Sequence, residues 1–257
     1  MSIRIVVLDV DWTLTSEVDG KLVESNALAC KLLQQKGIKV AVGTGRPPYA
    51  IPQIEGKIFP DYYLCSNGHL ITDNQYNVID ASYFSTDLRN RMVDYCKGKE
   101  IGLVFKYIDG VYCYQNCPAM ESISSNLSKF YFYPNPDENQ LPNSSFIVAD
   151  RELIKDFAKE FEDELDVVDG GYQLFDINLK GVNKGTGLKL MLEHLGIDRS
   201  ECMAFGDSDN DIEMVQYAGV GVAMGNGYET LKKHADYITD KASEDGIIKA
   251  LKKFDIL

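Results

Sequence analysis

The run Ile3-Arg4-Ile5-Val6-Val7-Leu8, followed at once by Asp9-Val10-Asp11-Trp12-Thr13-Leu14-Thr15, sets the strongest limit on what this chain can fold into. The run is short, β-branched and mostly apolar on consecutive positions, the pattern of a strand covered on both faces in a parallel sheet. It delivers two carboxylates to the carboxyl end of that strand, where open α/β sheets place their chemistry. Alternate residues of a strand share a face, so Asp9 and Asp11 can reach one region as the chain turns out. Carboxylates that close repel unless a cation or a shared proton relieves them. Mg²⁺, a hard oxygen-seeking ion, would do so while keeping waters and a phosphate oxygen as its other ligands. The same residues would also serve as turn caps, and this segment alone leaves both readings open.

Three further segments favour chemistry. Ile38-Lys39-Val40-Ala41-Val42-Gly43 is a second apolar strand, ending in Thr44-Gly45-Arg46, where a hydroxyl and glycine amides can bind a phosphate oxygen. Lys184 opens Lys184-Gly185-Thr186-Gly187-Leu188, with Leu188, Leu192 and Leu195 at helical spacing. A lysine at a helix N-terminus opposes the macrodipole, and an anion held by the ammonium and the terminal amides would explain it. Cys202-Met203-Ala204-Phe205-Gly206 is a third strand that breaks into Asp207-Ser208-Asp209-Asn210-Asp211. Asp209 or Asn210 is expected to cap the helix carrying Ile212, Met214 and Val215. The surplus carboxylates suit a metal, with Asp207 nearest the strand end.

Taken together and in this order, D-x-D-x-T-L-T, hydrophobic-G-T-G-R, N-K-G and G-D-S-D-N-D resemble the haloacid dehalogenase (HAD) superfamily of phosphohydrolases, and more narrowly its Cof-type branch. The resemblance implies an α/β fold: a doubly wound parallel-sheet core at residues 1–82 and 183–257, with an inserted α/β cap at 83–182 that governs specificity. It implies Mg²⁺ dependence and an aspartyl-phosphate intermediate. Carried over by position, Asp9 is the nucleophile and Asp11 the general acid and base. Asp9, the backbone carbonyl of Asp11 and Asp207 hold the metal, and Thr44, Gly45 and Lys184 hold the phosphoryl group. Asn210 and Asp211 orient metal-bound water or substrate, and Asn67 and Arg46 are further substrate-facing candidates. Asn67 in Cys65-Ser66-Asn67-Gly68 reads equally as a turn residue. Trp12 departs from the family's usual glycine; the resemblance has the backbone amide there meet the phosphate, and a bulky indole would narrow the entrance.

Composition agrees. A length of 257 residues allows one large domain or two modest ones, and a formal net charge of -13 argues against nucleic acid or an anionic membrane as partner. The six cysteines, at 30, 65, 96, 113, 117 and 202, form no C-x-x-C pair and read as buried reduced thiols. The three histidines, His69, His194 and His234, are scattered and support neither a zinc site nor a Ser-His triad. No stretch approaches a membrane span, and residues 1–9 begin a strand instead of a signal peptide, so a cytoplasmic protein, monomeric or homodimeric, is expected.

Strands at 3–8, 38–43 and 61–65 alternate with a helix at 24–36 and a helical turn at 47–54, implying right-handed crossovers and a parallel sheet. Gly68 to Tyr83 reads as a hairpin that leaves the sheet. In the middle of the chain, hairpins are expected at Asp109-Gly110 and Asp169-Gly170-Gly171, and helices at 86–98 and 151–165, the latter with Leu153, Ile154, Phe157, Phe161 and Leu165 on one stripe. The polar run 135–143 reads as a loop, and Phe130-Tyr131-Phe132-Tyr133 as strand packing, with a substrate platform in the cap as the alternative. Linkers near 81–85 and 179–183 would let the cap open and close. The motifs point to a metal-dependent phosphatase acting on a small phosphorylated metabolite, commonly a sugar phosphate. A phosphomutase of the same superfamily and a non-catalytic sensor of a phosphorylated ligand stay open as alternatives.

Overall fold

Strand β1 (Ile5–Asp9) is buried along its whole length in the computed structural model, as an apolar run covered on both faces requires. The structure describes residues 2–51, 54, 56–120, 129–132, 140–171 and 173–257. These fall into two compact units: Met1–Arg46, Ile51–Asp80 and Asn183–Leu257 form the first, and Pro47–Ala50 with Ala81–Val182 the second.

The first unit is built on an eight-stranded sheet. Its strands are β1, β2 (Lys39–Gly43), β3 (Tyr62–Cys65), β4 (Leu70–Asp73), β5 (Val78–Ala81), β12 (Cys202–Gly206), β13 (Val220–Ala223) and β14 (Tyr237–Ile238), in the spatial order β14-β13-β12-β1-β2-β3-β4-β5. The six from β14 to β3 run parallel. Strand order reverses between β1 and β12, which lie side by side with Ile5 opposite Cys202 and Leu8 opposite Phe205. The crevice at such a reversal, beyond the carboxyl ends of the strands, is where this architecture binds ligands.

Helix α1 (Glu24–Gln35) buries Ala29, Cys30 and Leu33, and α4 (Lys184–Leu195) seats Leu188, Met191 and Leu192 on Ile5, Val7, Ala41, Leu64 and Ala204 of the sheet. Asn183 caps α4: its side chain accepts the Thr186 amide at 2.9 Å while the Thr186 hydroxyl takes the Asn183 amide at 3.0 Å. The expected hairpin at Gly68 to Tyr83 does not leave the sheet. Its first strand, β4, pairs antiparallel with β3, Leu64 opposite Ile71, because Leu70 and Ile71 are fully buried there.

The second unit carries a six-stranded sheet, ordered β10 (Leu165–Asp169), β11 (Leu174–Leu179), β9 (Ser144–Val148), β6 (Gly102–Lys106), β7 (Val111–Gln115), β8 (Phe130–Phe132). Neighbours are antiparallel except β7 and β8, and the turns fall at Asp109-Gly110 and at Asp169-Gly170-Gly171 as the sequence indicates. Helices α2 (Thr86–Cys96) and α3 (Arg151–Glu160) cover one face, packing Leu88, Met92, Ile154 and Phe157 on Leu103, Phe105, Ile147 and Ile177. The expected helix to residue 165 stops at Glu160, and Leu165 begins β10 instead. Continuing the helix would set Glu162, Asp163 and Glu164 at its negative end. Phe130–Phe132 form a strand, as expected; Tyr133 and residues 135–139 of the polar run lie outside the described residues. All six cysteines are free and buried. Among the described residues no helix is long and apolar enough to cross a membrane.

Candidate active site

At the carboxyl ends of β1 and β12 the chain brings together three carboxylates and one ammonium, all buried. Asp9 closes β1, Asp207 follows β12, and Asp211 ends the single turn Asp209–Asp211. One oxygen from each lies within 4.8 Å of the others. Lys184, the first residue of α4 and 1% exposed, reaches in with Nζ 2.7 Å from Asp9 Oδ1 and 2.6 Å from Asp211 Oδ1. The lysine that seemed misplaced at a helix N-terminus is thus held by two carboxylates.

The positions follow from local structure. Gly206 lets Asp211 approach, since a Cβ at Gly206 would lie 2.4 Å from the Asp211 Cβ. Asp211 Oδ2 accepts the amides of Asp207 (3.0 Å) and Ser208 (3.1 Å), fixing the loop. The helix-capping role expected of Asp209 or Asn210 is absent: α5 (Ile212–Tyr217) follows Asp211 with no side-chain cap. Asp209 instead accepts a hydrogen bond from the Thr230 hydroxyl. Thr13, whose hydroxyl donates to Asp207 Oδ1 at 3.1 Å, and Asn26, whose Nδ2 donates to the carbonyls of Thr13 and Leu14 at 3.1 Å, were not singled out from sequence. A buried asparagine on an otherwise apolar helix face was the one signal that could have found Asn26.

Charge balance explains what this centre needs. Burial, with repulsion from Asp211 and Asp11, pushes Asp9 up to about 7 even though Lys184 pulls it down. Burial and repulsion from Asp9 and Asp211 push Asp207 up to about 9. Burial opposes the Lys184 charge, but Asp211 and Asp9 outweigh it and hold the ammonium above its ordinary value. One ammonium among three carboxylates leaves an excess of negative charge in a site of low dielectric. Three hard oxygen donors at this spacing fit a divalent cation such as Mg²⁺.

The Asp11 carboxylate stands outside this group. It takes a fork from Arg46, Nε to Oδ2 at 2.7 Å and a terminal nitrogen to Oδ1 at 2.9 Å, and its side chain is 47% exposed. Thr44 is buried, and its hydroxyl accepts the Arg46 amide at 3.1 Å. Gly45 is required by its neighbour, since a Cβ there would come within 2.9 Å of Asn67 Oδ1. Asn67, left-handed at φ 53°, accepts from Asn210 Nδ2 at 3.1 Å. Its neighbour Gly68 lies against the entry to α4, where an added Cβ would sit 2.1 Å from the Asn183 carbonyl. The Trp12 amide donates within its own turn to Thr15 Oγ1 at 2.9 Å.

A sequence model of the haloacid dehalogenase-like hydrolases matches residues 6–251. The chain belongs to that family. Within it the chain is a Cof-type member and a phosphatase. It is 28% identical over 98% of its length to the 5-amino-6-(5-phospho-D-ribitylamino)uracil phosphatase YcsE of Bacillus subtilis, covering 96% of that protein. It is also 28% identical to a putative bifunctional phosphatase/peptidyl-prolyl cis-trans isomerase of Streptococcus pyogenes, where 99% of the chain spans 54% of the relative. A solved sugar phosphatase of HAD subclass IIB superposes with a TM-score of 0.85 at 26% identity, covering 99% of this chain and all of that one.

Proposed function

We propose that this HAD phosphatase hydrolyses small phosphorylated metabolites, sugar phosphates among them, with Mg²⁺ at the acidic centre and with Asp9 as nucleophile. The observation that carries the reading is Lys184 Nζ lying between Asp9 and Asp211 with Asp207 beside them. A binding protein has no need of a buried carboxylate held ready beside an ammonium, and both the relative YcsE and the subclass IIB neighbour are named as phosphatases.

In this reading Asp9, Asp207 and Asp211 would hold the cation, which would supply positive charge to a phosphoryl group. An Asp9 oxygen bonds to phosphorus as the bond to the leaving oxygen breaks, and Lys184 offsets the charge that gathers. Asp11, once released from Arg46, gives a proton to the leaving oxygen. Water then attacks the phosphorus, Asp11 takes its proton, and phosphate departs with the Asp9 carboxylate restored. Such proton transfer is worth roughly 10²–10⁴ in rate. Thr44 and the Gly45 amide serve the phosphoryl group, and Asn210, Asn67 and Arg46 face the substrate. The second unit acts as the cap that selects it. Six buried free thiols suit a reducing, cytoplasmic setting. Substituting Asp9→Asn tests the reading: phosphate release should vanish while the circular dichroism spectrum is kept, and release undiminished in that variant would refute it.

A further inference from the structure

The turn that carries the two aspartates holds its next residue in a conformation that the side chain does not favour. Trp12 has φ 59° and ψ 9°, the left-handed region that glycine enters freely and that crowds the Cβ of a bulky residue. Both of its backbone groups are tied down. Its amide donates to Thr15 Oγ1 at 2.9 Å, and its carbonyl accepts from Asn226 Nδ2 at 2.8 Å, while Asn226 Oδ1 takes the Ala242 amide at 2.9 Å. The strain is therefore enforced by the surrounding structure, the arrangement expected where a side chain is displayed for use.

The side chain gives little back to the fold. Trp12 is 44% exposed, and among the described residues no ring stacks on it. It stands between Asp11 and Thr13, whose hydroxyl holds Asp207. Trp12 lies three residues along the chain from Asp9, on the one turn Val10–Leu14, which puts an exposed aromatic side chain in the neighbourhood of a group attached to Asp9. The indole offers a broad apolar face whose π density favours a second flat ring in offset or edge contact.

We propose that Trp12 is a specificity-determining platform for substrates whose leaving group carries a planar aromatic or heteroaromatic ring near the phosphate, an inference that rests on the phosphatase reading of the Asp9 site.

The chain has one tryptophan, so its emission reports on this residue alone. Specificity constants for phenyl phosphate and ethyl phosphate should be compared in the wild type, Trp12→Gly and Trp12→Phe. Glycine accepts the left-handed backbone, so the first variant should fold. The phenyl-to-ethyl ratio should fall about tenfold or more in Trp12→Gly, mainly through KM, and recover most of the way in Trp12→Phe, as ring stacking of this kind predicts. In an Asp9→Asn background, phenylphosphonate should quench the tryptophan emission where methylphosphonate does not. A ratio unchanged in Trp12→Gly, or both substrates falling in parallel, would overturn the proposal, as would equal emission responses to the two phosphonates. Turnover persisting in Asp9→Asn would refute the reading of Asp9 and leave the platform to be decided by the emission alone.

Discussion

The acidic centre of the first unit and the face of the second unit's sheet opposite α2 and α3 both bury polar groups, and they do so differently. At the centre, Lys184 touches Asp9 and Asp211, and Asp207 takes the Thr13 hydroxyl, so each charge has a partner and the remaining negative excess calls for a cation. On the sheet of the second unit, Lys106 and Asp176 pair at 3.1 Å. Ser144, opposite Lys106 in the register, and the nearby Asn143 and Asn178 keep buried side-chain atoms without a hydrogen-bond partner among the described residues. A closed, mutually held set of charges is an arrangement built for one reaction. Buried donors and acceptors left without a partner among the described residues weaken the sheet face that holds them.

Breaking the Lys184 set should have the larger effect. Lys184→Met leaves three buried carboxylates with no ammonium among them, and a loss of about 3–5 kcal/mol in denaturant unfolding, with turnover gone, is expected. Replacing the other pair together, Lys106→Met with Asp176→Leu, should be neutral or stabilising by about 1–4 kcal/mol, because two desolvated charges are exchanged for packing area. Equal losses from both changes would erase the contrast.

The cation should be visible as pH-dependent stabilisation. Asp9 and Asp207, raised to about 7 and about 9, bind protons more tightly in the folded chain than in the unfolded one, where carboxylates titrate near 4. The folded state then holds more protons between those values, so the metal-free protein loses stability as pH rises from about 4 to 9. Mg²⁺ competes with those protons, so the rise in Tm on adding it should be larger at pH 8.5 than at pH 6, and the stabilisation should approach about 2.7 kcal/mol at a hundredfold excess over Kd. Smallest of all, Ser144→Ala removes a buried hydroxyl without a partner among the described residues and should stabilise by up to about 1 kcal/mol in thermal unfolding.

Much of the first unit was legible because three of the four motifs follow apolar runs too short and too β-branched to be helices, and such strands in a parallel sheet must end together. That logic brings Asp9, Thr44 and Asp207 together, while Lys184 was legible as an ammonium at a helix N-terminus. It does not choose among the carboxylates of Asp207-Ser208-Asp209-Asn210-Asp211. The single turn at Asp209–Asp211 decides, turning Asp211 onto the amides of Asp207 and Ser208 and sending Asp209 out to Thr230. The hydrogen bonds of the Trp12 carbonyl to Asn226 and of Asn26 to the turn were harder to read, since both join residues distant in the chain. In the second unit the helical period ran on through Leu165, and only the charges at 162–164 told against it.

The most direct measurement of the central claim is phosphate release from a panel of sugar phosphates and an aryl phosphate, with Mg²⁺ and with chelator, in the wild type and in Asp9→Asn. Release that requires both Mg²⁺ and Asp9 is the predicted result. Release that survives chelation or the substitution, or none from any compound by a folded, Mg²⁺-binding protein, would contradict it.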